Sequence, residues 1–186
     1  MSLRPATPAD DVAGVIRAAF GDEGDQVAAI WADLEREGLV LGSIVAEVDG
    51  AVVGHVGLSP AWLDARRELV DVWLLSPLSV LPDHQIGGLG TRLVGAAIEA
   101  AVAGGAPMLF VEGSPAYYRS RGFEPARRLG LLQPTDRVPG PAFQVARLDG
   151  YQSWMTGRLV YRDVWWRHDA AGLRDPLLAE LEEEYE

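Results

Sequence analysis

The stretch "LSVLPDHQIGGLGTRLV", residues 78–94, joins an apolar run to an amphipathic helix through a turn that holds Gly87, Gly88 and Gly90. The run before it, "ELVDVWLLSPLSV" (68–80), is nearly continuously apolar and reads as a strand buried on both faces. After it, Leu89, Leu93, Ala97 and Ala101 share one helical stripe, with Val94 and Ile98 beside it, and Gly104–Gly105 close the helix. The first amides of such a helix lack internal acceptors, and the helix dipole is positive there. Glycines without a Cβ let a bulky anion reach those amides, so the turn can hold a pyrophosphate without a cationic side chain. The same glycines also suit a plain strand-to-helix turn, and spacing alone leaves both readings open. Two nucleotide loops fail outright. GxGxxG counted from Gly88 would need glycine where Leu93 stands, and a P-loop needs a lysine, which the chain lacks altogether.

Working outward, "PMLFVEG" (107–113) reads as a buried strand, "SPAYYRSR" (114–121) as a short helix and "GFEPA" (122–126) as the start of another strand. Upstream, "GSIVAEVDGAVVGHVGLSPAWL" (42–63) holds two β-rich runs around Asp49–Gly50, a strong hairpin signal. Pro77 cannot donate to a sheet ladder, so a bulge or splay is expected there. Near the N-terminus, Thr7 suits an N-cap and Pro8 a first helical position, with Val12, Val15, Ile16 and Ala19 on one face. A second helix is expected over about 24–37, ending at Gly38. Further strands fall near 142–148 and 157–162. The order of helices, a β-meander, a β–α–β unit and more strands predicts an α/β fold with a sheet of mixed direction.

Composition narrows the chemistry. The 186 residues are 48% apolar and 23% charged, which suits a folded domain over 1–170 followed by an acidic helical tail over 171–186. That tail carries Glu180, Glu182, Glu183, Glu184 and Glu186. A formal charge of −11 argues against nucleic acid as a partner. No apolar run reaches the roughly 18–20 residues that cross a bilayer, and "MSLRPATPADD" lacks a signal pattern, so a cytoplasmic protein without membrane contact is expected. All 16 cationic side chains are arginine and there is no cysteine, which excludes Schiff-base lysines, thiolate nucleophiles and disulfides. His55, His84 and His168 are far apart in sequence, and no metal site is expected.

"VLPDHQIGGLGTRLV" resembles the acetyl-CoA loop of the GNAT superfamily of N-acetyltransferases, Gln/Arg-x-x-Gly-x-Gly/Ala, with Gln85, Gly88 and Gly90 at the matching positions. "AYYRSRGFEPA" is similar to the superfamily's Tyr-x-x-x-Gly-Phe element through Tyr118, Gly122 and Phe123, and "EGSPAYY" resembles a subgroup with Gly-x-Pro-x-Tyr-Tyr. The resemblance covers about 42–125. Two departures stand out. Positions 86 and 87, often basic in the family, are Ile and Gly, and the asparagine often found ahead of the tyrosine cannot be present.

The resemblance implies a mostly antiparallel central sheet with a strand splay, flanked by helices. It implies an acetyl-CoA-dependent N-acetyltransferase acting on a primary amine of a small molecule or peptide, or, as the alternative, a non-catalytic acyl-CoA-binding module. Gln85, Ile86, Gly87, Gly88, Leu89, Gly90 and Thr91 would hold the pyrophosphate, and the backbone of Leu78, Ser79 and Val80 the pantetheine arm. Tyr118 would protonate the departing thiolate. Asp71 and Glu112, and behind them His55, are the candidates for the base. His84, Arg119 and Arg121 could meet phosphates, and Trp31 and Trp62 could wall the acceptor pocket. Trp165 and Trp166 with Tyr161 could form the apolar surface of a homodimer.

Overall fold

The computed structural model describes residues 1–185; Glu186, the last acid of the expected tail, lies outside the described residues. The fold is mixed α/β, a mostly antiparallel open sheet flanked by helices. The chain forms two compact units, and two long strands contribute to both.

The first unit spans Met1–Ser59 and Leu75–Gly104. It contains β1 (Ser2–Pro5), α1 (Val12–Phe20), α2 (Gly24–Arg36), β2 (Gly42–Val48), the first part of β3 (Ala51–Ala65), the second part of β4 (Leu69–Val80) and α3 (Leu89–Ala103). β1 pairs antiparallel with β2, and β2 with β3. The β2–β3 turn is built on Asp49 (φ 51°) and Gly50 (φ 82°), two positive-φ residues as a twist-matched hairpin turn requires. Leu89, Leu93, Val94, Ala97 and Ala101 put the apolar stripe of α3 into the core, while Ile16, Ile30 and Leu34 bury the facing sides of α1 and α2. Gly57 is glycine for a packing reason, since a Cβ there would lie 2.3 Å from Trp31 Cζ3 and 2.9 Å from Ser76 O.

Helix α1 begins later than Thr7 and Pro8 suggest. Asp10 accepts from Thr7 N at 2.7 Å and Thr7 Oγ1 at 2.9 Å, and takes both guanidinium nitrogens of Arg4 at 2.8 Å. This turn consumes the N-cap candidate. Asp11 caps instead, accepting from Gly14 N at 2.8 Å.

The second unit holds Pro60–Leu74 and the residues from Gly105 onward. Its elements are the remaining parts of β3 and β4, with β5 (Met108–Glu112), α4 (Pro115–Arg119), β6 (Glu124–Pro125), β7 (Leu131–Leu132), β8 (Phe143–Arg147), β9 (Gly157–Tyr161), α5 (Asp163–Arg167) and α6 (Leu177–Tyr185). β4 runs parallel to β5 with Trp73 beside Leu109 and Leu74 beside Phe110. β8 pairs antiparallel with β5 and β6, and β9 antiparallel with β3. Phe110 and Phe143 stack 5.4 Å apart in the core. Within the stretch 171–186 expected as a helical tail, 171–176 are not helical and α6 covers Leu177–Tyr185, with Leu178, Leu181 and Tyr185 in a half-buried stripe at helical spacing.

Pro77 sits inside β4 without ending it, and the Ser76–Pro77 peptide is cis. Tyr161 and Trp165 are buried and only Trp166 is exposed, so these three aromatics do not make the apolar surface anticipated for a dimer. Trp31 is likewise a core residue, 2% exposed.

Candidate active site

In the first unit, β4 ends in a tightly bonded turn. Leu81 N donates to Val53 O at 2.9 Å, His84 N to Leu81 O at 2.8 Å and Gln85 N to Pro82 O at 3.3 Å. The Gln85 side chain reaches back, its Nε2 donating to Val80 O at 3.2 Å, and so fixes the loop to the strand end. Gly87 (φ 135°) and Gly88 (φ 78°) then turn the chain through conformations that side chains disfavour. No heavy atom lies within 4 Å of where either Cβ would stand, so the surface of this turn is open backbone. Gly88 is the N-cap of α3 and supplies no side-chain bond. The amides of Leu89 and Gly90 precede the helical bond from Arg92 N to Gly88 O at 3.1 Å. Of the seven loop residues singled out in the sequence, Gln85–Gly88 form the turn and Leu89, Gly90 and Thr91 begin α3, with Leu89 and Gly90 buried. Leu78 and Val80 are half-buried at the end of β4, and between them Ser79 is fully buried with no hydrogen-bond partner for its Oγ.

His55 belongs to the core of the same unit. It is buried, its Nε2 lies 3.0 Å from Ser43 Oγ, and its ring meets Trp31 edge-on at 4.8 Å. Burial lowers its pKa to about 4, so it stays neutral. This is a packed imidazole, poorly suited to the role of base.

In the second unit, Glu112 ends β5. Tyr161, at the end of β9, donates its hydroxyl hydrogen bond to Glu112 Oε1. Burial pushes the Glu112 carboxyl up from 4.5 to about 7, against the Tyr161 hydrogen bond and the charge of Arg137, which both favour the carboxylate. Glu112 also lines a cavity of about 700 Å³ with Gly113, Arg119, Ala142 and, from α6, Leu181 and Glu184. Nothing in the sequence pairs Tyr161 with Glu112. They are 49 residues apart and only the strand arrangement brings them together.

Tyr118 is buried on α4, its ring 5.0 Å from Tyr117 and 5.5 Å from Phe123. Gly113 makes room for it, since a Cβ there would lie 2.5 Å from Tyr118 Cε2. The carbonyl of Tyr118 accepts from Arg121 N at 2.9 Å and Phe123 N at 3.3 Å around Gly122 (φ 91°), which gives the Tyr-x-x-x-Gly-Phe spacing its local structural cause. Burial, with Tyr117 beside it, pushes the phenol pKa well above its ordinary value, so Tyr118 keeps its proton. Arg121 stacks over Tyr117 at 3.6 Å and donates to its carbonyl.

Asp71 is exposed on β4. Trp73 stands beside Leu109, so Asp71 is level with Pro107, five residues before Glu112. At the strand rise that is about 16 Å from Glu112 along the sheet. The two carboxylates considered for one role thus sit at different levels, and only Glu112 lines the cavity. No group of three or more metal-ligating side chains comes together among the described residues, and no described helix is long and apolar enough to cross a membrane.

Residues 15–123 match the model of the acetyltransferase (GNAT) family. The chain is 31% identical to the uncharacterized N-acetyltransferase YhbS of Escherichia coli K12, over 88% of this chain and 97% of that one. It is 34% identical to the uncharacterized N-acetyltransferase YjhQ of the same organism, over 63% of this chain and 65% of that protein's length. The structure resembles that of E. coli YhbS in complex with CoA, with a TM-score of 0.78 at 27% identity, covering 89% of this chain and 92% of that one. It also resembles a Brucella melitensis GNAT acetyltransferase in complex with acetyl-CoA, with a TM-score of 0.71 at 25% identity, covering 88% and 97%.

Proposed function

The chain belongs to the acetyltransferase (GNAT) family, and on that premise we propose that it transfers the acetyl group of acetyl-CoA to a primary amine. The observation that carries the reading is the Gln85–Thr91 turn. Its two left-handed glycines leave the backbone open, and helix α3 begins there with the amides of Leu89 and Gly90, which lie ahead of the bonds within its own turns. Such a turn fits a pyrophosphate, and the buried Ser79 Oγ is a hydroxyl in want of a partner beside the strand backbone assigned to the pantetheine arm. Ile86 and Gly87 bring no charge, so affinity rests on backbone amides and the helix end.

Acetyl-CoA, when bound, supplies the acyl group as a thioester. The protein has to orient the amine, remove its protons and protonate the departing sulfur. Glu112 is the base in this reading, preferred over Asp71 because a carboxyl poised at about 7 takes a proton near neutral pH and returns it readily. Tyr118 is the acid, since it holds its proton across the working range and yields it only to a strong base such as a desolvated thiolate. The balance is one N–C bond formed and one C–S bond broken: of the two protons the ammonium loses, one passes to Glu112, which later releases it to water, and the other passes through solvent to restore Tyr118 after it has protonated the sulfur.

Thermal stabilisation tests the ligand. Acetyl-CoA at about 100 times its Kd should add about 2.7 kcal/mol of stability, or roughly 5–10 °C in Tm for a chain this size. ADP and NAD at the same concentration should give much less. Equal shifts with all three would mean that the turn is a general nucleotide site.

A further inference from the structure

The family match ends at residue 123, yet much of the wall of the cavity at Glu112 comes from beyond it. Ala142 immediately precedes β8, Leu173 follows α5, and Leu181, Glu184 and Tyr185 come from α6. That part of the cavity wall therefore lies outside the region that the family model matches.

The cavity's acidic groups are Glu112, held by Tyr161, and Glu184 of α6, with Arg119 the one cation among the described lining residues. Arg137, which also acts on Glu112, is turned to Asp169 at 3.4 Å. Leu173, Leu181 and Tyr185 add apolar surface to the same lining. A volume of about 700 Å³ is that of a site for a whole small molecule. A lysine side chain entering from a protein surface would need only a narrow channel.

We propose that this cavity is the acceptor site, and that it takes a small cationic primary amine with an apolar body, whose ammonium group is directed to Glu112 and whose body packs on Leu181 of α6. The inference rests on the acetyl-transfer reading above and names the substrate class for that reaction. Helix α6 is then a specificity element: its half-buried stripe of Leu178, Leu181 and Tyr185 holds it in place, and its glutamates favour a cation.

The test uses the full chain with saturating acetyl-CoA and follows CoA release. The probes are benzylamine, butylamine and 1,4-diaminobutane, with O-benzylhydroxylamine as the neutral counterpart of benzylamine and a lysine-containing peptide as the macromolecular control. Leu181→Trp fills the cavity and should raise KM for the small amines about tenfold while the Kd for acetyl-CoA and the Tm hold. Glu184→Gln should raise KM for benzylamine about threefold and leave O-benzylhydroxylamine unchanged. The inference is overturned if both variants leave amine KM unmoved, or if Leu181→Trp weakens acetyl-CoA instead. It is overturned equally if only the peptide, or no amine at all, is acetylated while acetyl-CoA still binds. A wild-type chain that does not bind acetyl-CoA would instead strike the reaction itself, and this inference with it.

Discussion

The hydroxyl of Tyr161 donates its hydrogen bond to Glu112 Oε1, tying the end of β9 to the end of β5. This bond opposes the burial that raises the Glu112 carboxyl to about 7. Removing it should raise that value further. Tyr161→Phe is therefore expected to shift the acid limb of the kcat/KM profile to higher pH, with the plateau largely preserved, while Glu112→Gln should abolish the limb along with most of the rate. A limb that stays in place in Tyr161→Phe would show that Glu112 does not report in the profile.

The same carboxyl should mark stability. Between 4.5 and about 7 the native state holds a proton on Glu112 that the unfolded chain has released, so this group makes stability fall as pH rises through that window. The size is on the order of 3 kcal/mol. His55 acts in the opposite sense. Its native pKa lies at about 4 against 6.5, so the stability it lends above 6.5 is lost as pH falls towards 4. The two trends partly cancel where they overlap. Urea midpoints of Glu112→Gln should thus exceed wild type increasingly from pH 5 to 7.5, and parallel curves would contradict the buried carboxyl.

Tyr118→Phe separates catalysis from packing. The ring makes the contacts to Tyr117, Phe123 and Gly113, and no hydrogen bond of the hydroxyl is present among the described residues. Loss of the hydroxyl should change stability by less than about 1 kcal/mol. A general acid contributes about 10²–10⁴ in rate, so kcat should fall by that range with acetyl-CoA affinity unchanged. Unaltered kcat would remove Tyr118 from the chemistry.

A packing prediction concerns the first unit alone. Gly57→Ala would put a methyl 2.3 Å from Trp31 Cζ3, with the backbone carbonyl of Ser76 on the other side. Overpacking of this kind costs about 1–3 kcal/mol. The variant should lose several degrees of Tm and alter tryptophan fluorescence.

Much of this fold was legible in the sequence because its signals are local. Asp49–Gly50 demands a hairpin, the stripe Leu89, Leu93, Ala97 and Ala101 demands a helix, and Gly87–Gly88 mark the left-handed turn before it. The open glycine turn proposed to hold the cofactor was legible for the same reason, since its parts are contiguous. The start of α1 was misplaced because Asp10 competes for Thr7 through Arg4, a bond network that no propensity records. The cavity was not legible. Glu112, Tyr161 and Leu181 are brought into one unit by strand register and by the docking of α6, and local pattern carries no information about either. The tail read as a solvated acidic helix proved to have one face half-buried, which its Leu178, Leu181 and Tyr185 spacing records.

The central claim is that backbone amides and the α3 terminus hold the pyrophosphate, and one titration tests it most directly. Gly88 has φ 78° and open space where its Cβ would stand, so Gly88→Val strains the turn without disturbing the core. The strain amounts to about 1–2 kcal/mol. Calorimetric titration with acetyl-CoA should show binding to the wild-type chain and at least a hundredfold weaker binding to Gly88→Val, with the variant still unfolding cooperatively. Wild-type affinity retained by the folded variant would contradict the account.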